Sequence, residues 1–274
     1  MVVFPNAKIN LGLKVTSQRS DGYRNISSVF YPVRELRDAL EFIPRKESKK
    51  DAFHYTGLEI PGNTEDNLVR KAVELIRAEF DIPRLEVHLH KAIPMGAGLG
   101  GGSADGSFML SALNEEFELG LSEIELEALA LKLGSDCPFF VQNRPVAVSG
   151  RGENMEPIDL SLKGKYLVLV FGKHHISTAE AYANTEMRMP VISPDEIVLS
   201  QPIWKWMENL DNDFEAYAFA KHKDLKDVKD LLYLSGAAYA SMTGTGATFY
   251  GIFEKKPDLT EFEHAKISVY CTRL

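Results

Sequence analysis

Cysteine is nearly missing: Cys137 and Cys271 are the only two in 274 residues, and they stand far apart. They make no disulfide framework, and a reducing compartment is the simplest expectation. Positive charge is in deficit, with 31 Lys and Arg against 39 Asp and Glu, a net charge of −8. Non-specific nucleic-acid binding needs a basic face to displace counterions, so an acidic balance argues against that partner. A local basic pocket for phosphates stays possible. No apolar run approaches the length of a membrane span; the longest of interest, Tyr166–Phe171, suits one buried strand. The N-terminus is apolar only briefly before Lys8, which makes a poor signal peptide. A soluble, cytoplasmic protein is expected. Internal repeats and low-complexity tracts are absent too.

What is present suffices for a sizeable core: 45% of the residues are hydrophobic, enough for two domains. Residues Ala7–Val15 alternate, with Ile9, Leu11, Leu13 and Val15 on one face and Lys8, Asn10, Gly12 and Lys14 on the other. Period two predicts a half-buried strand that presents Lys8 and Asn10 side by side. Ser20-Asp21-Gly22-Tyr23 is a turn signal. Arg45–Asp51 reads as an exposed charged loop. Asn63–Asp66 offers N-caps for a helix to about Phe80, with Leu68, Ala72, Leu75 and Ile76 on one stripe. Leu85–Leu89 alternates as a strand. Phe108, Leu110, Leu113 and Phe117 predict a helix. Ser122 and Glu125 form a capping box for another helix, ended by Gly134 as a C′ glycine. Further strands are expected over Tyr166–Phe171 and Thr248–Phe253. Strands and helices mix without regular βαβα order, which points to α+β. A polar stretch at Glu156–Lys165 sets the expected boundary between domains 1–160 and 161–274.

Between the strand ending near Leu89 and the helix at Phe108 lies Pro94-Met95-Gly96-Ala97-Gly98-Leu99-Gly100-Gly101-Gly102-Ser103-Ala104. A flexible linker would pair glycine with serine and charge, whereas this segment is flanked by apolar elements. Glycines let backbone N–H groups converge on an anion without Cβ obstruction. The positive end of the next helix dipole, placed at about Ser103, adds to that. Strand, glycine loop and helix together read as a phosphate cradle. Walker A is excluded, because the loop ends Gly-Gly-Ser-Ala with no lysine. Gly96, Gly98 and Gly101 satisfy G-x-G-x-x-G, but the acidic residues about twenty positions on, Glu123 and Glu125, fall inside a predicted helix rather than at a strand end. Protein-kinase motifs are absent.

The Pro94–Ala104 segment resembles the central motif of the GHMP kinases. Pro5-Asn6-Ala7-Lys8-Ile9-Asn10-Leu11 is similar to the N-terminal motif of one branch. Ser241-Met242-Thr243-Gly244-Thr245-Gly246-Ala247 is similar to the C-terminal glycine motif, usually written with Ser where Thr243 stands. The three occur in family order and span nearly the whole chain. Gln18-Arg19-Ser20-Asp21-Gly22-Tyr23, the triple glycine Gly100–Gly102 and Leu133-Gly134-Ser135-Asp136-Cys137-Pro138-Phe139-Phe140 resemble the branch that acts on 4-diphosphocytidyl-2-C-methyl-D-erythritol. Cys137 replaces the usual valine of that branch, and Arg24 replaces a histidine that helps bind the cytidine end.

The resemblance implies the two-domain GHMP kinase architecture: an N-terminal domain like ribosomal protein S5 domain 2 and a ferredoxin-like C-terminal domain. It implies ATP as phosphoryl donor, with Mg²⁺ on the nucleotide, and the 2-hydroxyl of that cytidyl diphosphate compound as acceptor, in non-mevalonate isoprenoid synthesis. Pro94, Met95, Gly96, Ala97, Gly98, Leu99, Gly100, Gly101, Gly102, Ser103 and Ala104 would hold ATP, with Ser103 also capping the helix. Asp136, which alone could be a turn cap, becomes the catalytic carboxylate that takes the hydroxyl proton. Lys8 would favour the developing alkoxide. Asn10, Tyr23, Arg24, Tyr182, Gly244 and Thr245 would meet the substrate. Tyr23 and Tyr182 are the candidates to stack on cytosine, and the N–H groups of Gly244 and Thr245 would lie near its diphosphate. No protein-bound metal is expected: His174-His175 point opposite ways along a strand and find no third ligand. The rivals are a homoserine- or mevalonate-type GHMP kinase and a non-catalytic nucleotide-binding module on the same fold. Oligomeric state is left open.

Overall fold

The computed structural model describes residues 1–274. Strands and helices are mixed, as α+β requires, and the chain divides into two compact units. The first comprises Met1–Lys8, Leu36–Met95 and Gly100–Arg144; the second comprises Ile9–Glu35, Gly96–Leu99 and Pro145–Leu274. The division thus falls inside one strand, at Lys8, and inside the glycine loop, at Leu99.

In the first unit a four-stranded sheet runs in the order Val2–Val3, Ala39–Pro44, Leu85–Lys91, Ala52–Gly57. The last two strands are parallel and the others antiparallel. Leu85, Val87 and Leu89 point to the core while Glu86, His88 and His90 point away, the alternation a one-sided sheet demands. Helices Leu68–Glu79, Gly101–Glu116 and Glu123–Leu133 cover the apolar face. Leu40, Phe42, Val73, Ile76, Leu110 and Leu113 meet there in one continuous core.

The second unit contains an antiparallel sheet in the order Tyr239–Met242, Thr248–Phe253, Tyr166–Phe171, Val269–Arg273. Another sheet, whose strands lie mostly in this unit, runs Asn6–Gln18, Arg24–Arg37, Val146–Ser149, Asn154–Pro157.

Several local expectations change. The strand over Ala7–Val15 exists and extends to Asn6–Gln18, but it is not half-buried: Lys8, Asn10 and Lys14 on its polar face are buried as fully as Ile9 and Leu11 on the other. Alternation reports that two faces differ in polarity, not that one meets water. The long helix is capped by Asn67, whose side chain accepts the Val69 N–H; Asn63 caps a separate single turn, Thr64–Asp66. Gly134 ends its helix in an extended conformation (φ 171°), so it supplies no left-handed cap. Asp51, placed in an exposed loop, is tucked in. It pairs with Arg77 at 2.8 Å and Arg84 at 3.3 Å and accepts the Leu85 N–H at 2.7 Å.

The capping box forms as expected: Glu125 donates its N–H to Ser122 Oγ, and its carboxylate accepts the Ser122 N–H at 2.8 Å. Ser122→Ala should lower stability by about 1 kcal/mol in urea unfolding, the usual worth of an N-cap. No change in the urea midpoint would show that the frayed helix end adds nothing to the fold.

Candidate active site

In the first unit, the strand Asn6–Gln18 carries Lys8 and the segment before the helix Cys137–Gln142 carries Asp136. Lys8 Nζ lies 3.4 Å from Asp136 Oδ2, with the lysine side chain 3% exposed and the carboxylate 36% exposed. Burial holds the Lys8 ammonium below its ordinary pKa; the Asp136 charge and hydrogen bond oppose that shift without cancelling it. Asp136 occupies an N-cap position but makes no side-chain cap bond. Asp136 is in the right-handed helical region (φ −83°, ψ −13°) rather than the extended one an N-cap takes, and Pro138 at the second helical position removes one of the two amides such a bond could reach. The carboxylate is therefore not consumed by capping. Cys137 beside it is fully buried, and its thiol is pushed up to about 11, chiefly by burial, which makes it an inert filler.

The later part of the glycine loop belongs to the same unit. Gly100 is the N-cap of the helix Gly101–Glu116, with φ 72° in the left-handed region and no side-chain cap bond. Ser103 is therefore not the cap, as expected from sequence, but lies within the first turn, and the positive helix end sits three residues earlier. A Cβ on Gly100 would stand 2.8 Å from Phe140 Cζ and 3.1 Å from Lys8 Cγ. Gly100 thus lies against the stem of Lys8 and the helix that follows Asp136. Met95 Cε packs 3.4 Å from where a Gly102 Cβ would be, and Ala104 donates its N–H to Gly100 O. A four-turn helix that begins without a side-chain cap, after a glycine at positive φ, presents first-turn N–H groups to an anion.

The earlier part, Gly96–Leu99, belongs to the second unit. Gly98 has φ 77°, and a Cβ there would fall 2.1 Å from the Thr243 carbonyl oxygen, a distance only glycine permits. Thr243 Oγ1 donates to Gly98 O at 3.0 Å and accepts the Asn10 N–H at 3.1 Å. Asn10 is fully buried: its Oδ1 accepts the Gly244 N–H at 2.9 Å and its Nδ2 donates to Ser28 Oγ at 3.1 Å. The side chain expected to reach substrate is thus engaged in holding the C-terminal glycine segment. The Gly244 N–H, expected near a diphosphate, is spent on Asn10. Thr245 Oγ1 lies 3.2 Å from Thr178 Oγ1.

Tyr23 is 56% exposed, with the Arg151 guanidinium 5.0 Å over its ring. Tyr182 meets Phe214 edge-on at 4.8 Å. Arg24 Nη1 donates to Thr185 O at 2.6 Å, just beyond the helix Thr178–Ala183 that carries Tyr182. Each of the two rings therefore already has a partner, and Arg24 ties the segment of one to the segment of the other.

Sequence reasoning missed Lys91, Asp38 and Asp105, three buried charged groups joined by Lys91 Nζ. A signal existed. Lys91 shares the phase of Leu85, Val87 and Leu89, and Asp105 shares a helix face with Met109 and Leu113, so each charge stands in an apolar series. The contacts of Thr243 had no such signal, since a turn threonine carries no sign of what it will touch.

Comparison with known proteins adds the following. The family model for the GHMP kinases N terminal domain matches residues 67–144, and that for the GHMP kinases C terminal domain matches residues 203–265. A 4-diphosphocytidyl-2-C-methyl-D-erythritol kinase of Bacteroides thetaiotaomicron is 48% identical over 272 residues, covering 99% of this chain and 98% of that protein. One of Parabacteroides distasonis is 47% identical over 261 residues, 95% and 94% of the two chains. A crystal structure of 4-(cytidine 5'-diphospho)-2C-methyl-D-erythritol kinase superposes with a TM-score of 0.81 at 28% identity, covering 99% and 98%.

Burial disfavours the Lys8 ammonium more than Asp136 compensates, so the charge is a burden on the fold. Lys8→Met removes that burden at similar volume and should melt no lower than the parent protein at neutral pH. A clearly lower melting temperature would show that the ion pair is held for stability.

Proposed function

Because the chain belongs to the GHMP kinase family, we propose that it transfers the γ-phosphoryl group of ATP to the 2-hydroxyl of 4-diphosphocytidyl-2-C-methyl-D-erythritol, a step of non-mevalonate isoprenoid synthesis. The relatives' names support the substrate, and they do not favour the homoserine- or mevalonate-type alternative. One observation carries the chemistry: a carboxylate free of its capping duty stands 3.4 Å from a buried ammonium whose stem packs on the glycine loop.

In this reading the uncapped start of the helix Gly101–Glu116 takes the nucleotide phosphates through backbone N–H groups. Positive φ at Gly98 and Gly100 keeps the loop backbone open toward them. Asp136 accepts the proton of the attacking hydroxyl, and Lys8 offsets the charge that builds on that oxygen. No group of three or more His, Cys, Asp or Glu side chains gathers to hold a metal. Mg²⁺ prefers phosphate oxygens and water, so it fits as an ion carried by the nucleotide, where it neutralises phosphate charge. Tyr23 supplies the exposed aromatic face for cytosine, with Tyr182 as the second ring. Asn10 and Gly244 act on substrate through the segment they hold, and Thr245 and Arg24 border it. In sequence, the boundary between the family's N- and C-terminal domains is placed at residue 160, between the matched segments 67–144 and 203–265. No helix is long and apolar enough to cross a membrane, and the substrates are those of a cytoplasmic enzyme.

Coupled ADP release should be seen with the cytidyl diphosphate compound and not with homoserine or mevalonate; turnover of either of the latter instead would move the chain to another branch. Asp136→Asn keeps the shape and loses the proton acceptor, so turnover should fall about 10²–10⁴-fold with ATP binding kept. Parent-like turnover in that variant would rule out the base.

Tyr23→Ala should raise the KM of the cytidyl substrate by about 1–3 kcal/mol in binding terms, the worth of a base on an aromatic ring. Tyr23→Phe should retain most of the affinity and ATP KM should barely move, because the base is remote from the reacting hydroxyl and contributes uniform binding. An unchanged substrate KM in Tyr23→Ala would make the ring a packing residue.

A further inference from the structure

Three buried ionisable side chains of the first unit, Asp38, Lys91 and Asp105, play no part in the phosphoryl transfer described above. Lys91 ends the strand Leu85–Lys91, and its Nζ donates to Asp38 Oδ2 and, at 2.7 Å, to Asp105 Oδ2. The other oxygen of Asp38 accepts the N–H groups of Ala92 at 2.6 Å and Ile93 at 2.9 Å. Asp105 lies in the early turns of the helix Gly101–Glu116. One ammonium therefore joins the two roots of the glycine loop: the chain that enters it at Ala92–Ile93 and the helix that leaves it. The roots are in close contact. A Cβ on Gly101 would lie 2.9 Å from Ile93 Cγ2 and 3.3 Å from Lys91 Nζ.

Stability is a poor reason for this cluster. Burying an ammonium with two carboxylates carries a desolvation penalty that apolar side chains of equal volume avoid. With all three groups ionised, two negative charges face one positive, and Asp105 Oδ1 is buried with no hydrogen-bond partner. Burial raises the Asp105 carboxyl well above the usual carboxylate range, with Lys91 opposing. Directional bonds hold one arrangement where apolar contacts would tolerate several. The position of the cluster, under both roots of one loop, says which arrangement is held.

We propose that Lys91, together with Asp38 and Asp105, is a positioning residue for the nucleotide: it staples the two roots of the glycine loop so that the cradle is formed before the phosphates arrive. The staple touches no phosphate itself. A preformed loop spares binding the entropy of ordering it, so the effect is read in ATP affinity. The inference rests on the reading that ATP occupies the glycine loop.

The test compares two substitutions at the helix root. Asp105→Asn keeps the shape and an oxygen for Lys91; Asp105→Leu keeps the volume and removes the oxygen. Asp105→Leu should raise ATP KM at least about tenfold, the loss expected for a hydrogen bond to a charged group. The KM of the acceptor substrate should stay constant, and turnover at saturating ATP should stay within about twofold. Asp105→Asn should remain near the parent protein. An unchanged ATP KM in folded Asp105→Leu, or equal effects of the two substitutions, overturns the staple. Gly100→Val is the control for the underlying reading. If it too leaves ATP KM unchanged, ATP does not use the loop; if it alone loses ATP, the loop reading stands and only the staple fails. Should Asp105→Leu not fold, hydrogen exchange of the parent protein decides. The amides of Ala92 and Ile93, bonded to Asp38, should be protected without nucleotide and change little on addition of a non-hydrolysable ATP analogue. Amides there that exchange freely and gain protection only with the analogue overturn the proposal.

Discussion

A buried ammonium beside a carboxylate left uncapped is the constraint around which the first unit's part of the site is arranged. Lys8 is desolvated, and its pKa is lowered despite Asp136 at 3.4 Å, so folding works against the charge it carries. Two sequence choices follow from keeping it there. Gly100 has to be glycine, because a Cβ would press on the Lys8 stem and on Phe140. Pro138 follows Asp136 by two residues and removes one of the two amides that could capture its side chain. The short helix gives up a cap, a loss of about 1 kcal/mol in the usual case. A desolvated charge and a forgone cap at one place, offset by a large core elsewhere, are the pattern expected where chemistry rather than stability selects residues.

The glycine loop obeys a second constraint, which is steric. Gly98 lies against the Thr243 carbonyl and Gly100 against Lys8, and both are in the left-handed region. These two positions need glycine for two reasons at once: conformation and close approach. The loop's glycines are thus not evidence of flexibility. Thr243 bonds Gly98 O in the second unit, while Lys91 and Asp38 hold Ala92 and Ile93 in the first. A loop fixed at several points along its length keeps its N–H groups oriented without reorganisation, the condition under which backbone dipoles act strongly on charge.

Much of this was legible from residues alone. Tyr166–Phe171 and Thr248–Phe253 came out as read, because short β-branched and aromatic runs between turn signals leave little else to form. Lys8, Asp136 and the loop were found through a resemblance, and geometry then brought Lys8, Asp136 and Gly100 together. What was not legible had a common cause. Burial of the polar strand face, the use of the Asn10 amide, and the fate of the Gly244 N–H depend on partners distant in sequence: Asp136 for Lys8, Asp213 for Lys14, and Thr243 and Gly244 for Asn10. Period two cannot say what covers a face. Caps failed for a different reason. Asn63 and Asn67 are equally good caps, and only the break after Asp66 decides which one starts the long helix. Ser103 looked like a cap because serine prefers that role, but a left-handed glycine three residues earlier had already begun the helix.

The contrast between a kinase and a mere nucleotide-binding module turns on the same buried charge. A module that only holds ATP needs the loop, its left-handed glycines and an open helix start. It has no use for an ammonium whose desolvation is incompletely repaid, nor for a carboxylate denied its cap. Apolar residues at position 8 and any capping residue at 136 would stabilise such a module, and drift toward them carries no penalty once turnover is not required. The chain keeps both unfavourable groups, within ion-pair distance of one another and against the loop. Phosphoryl transfer to a hydroxyl would use both groups together, because negative charge then develops on an oxygen while its proton must leave.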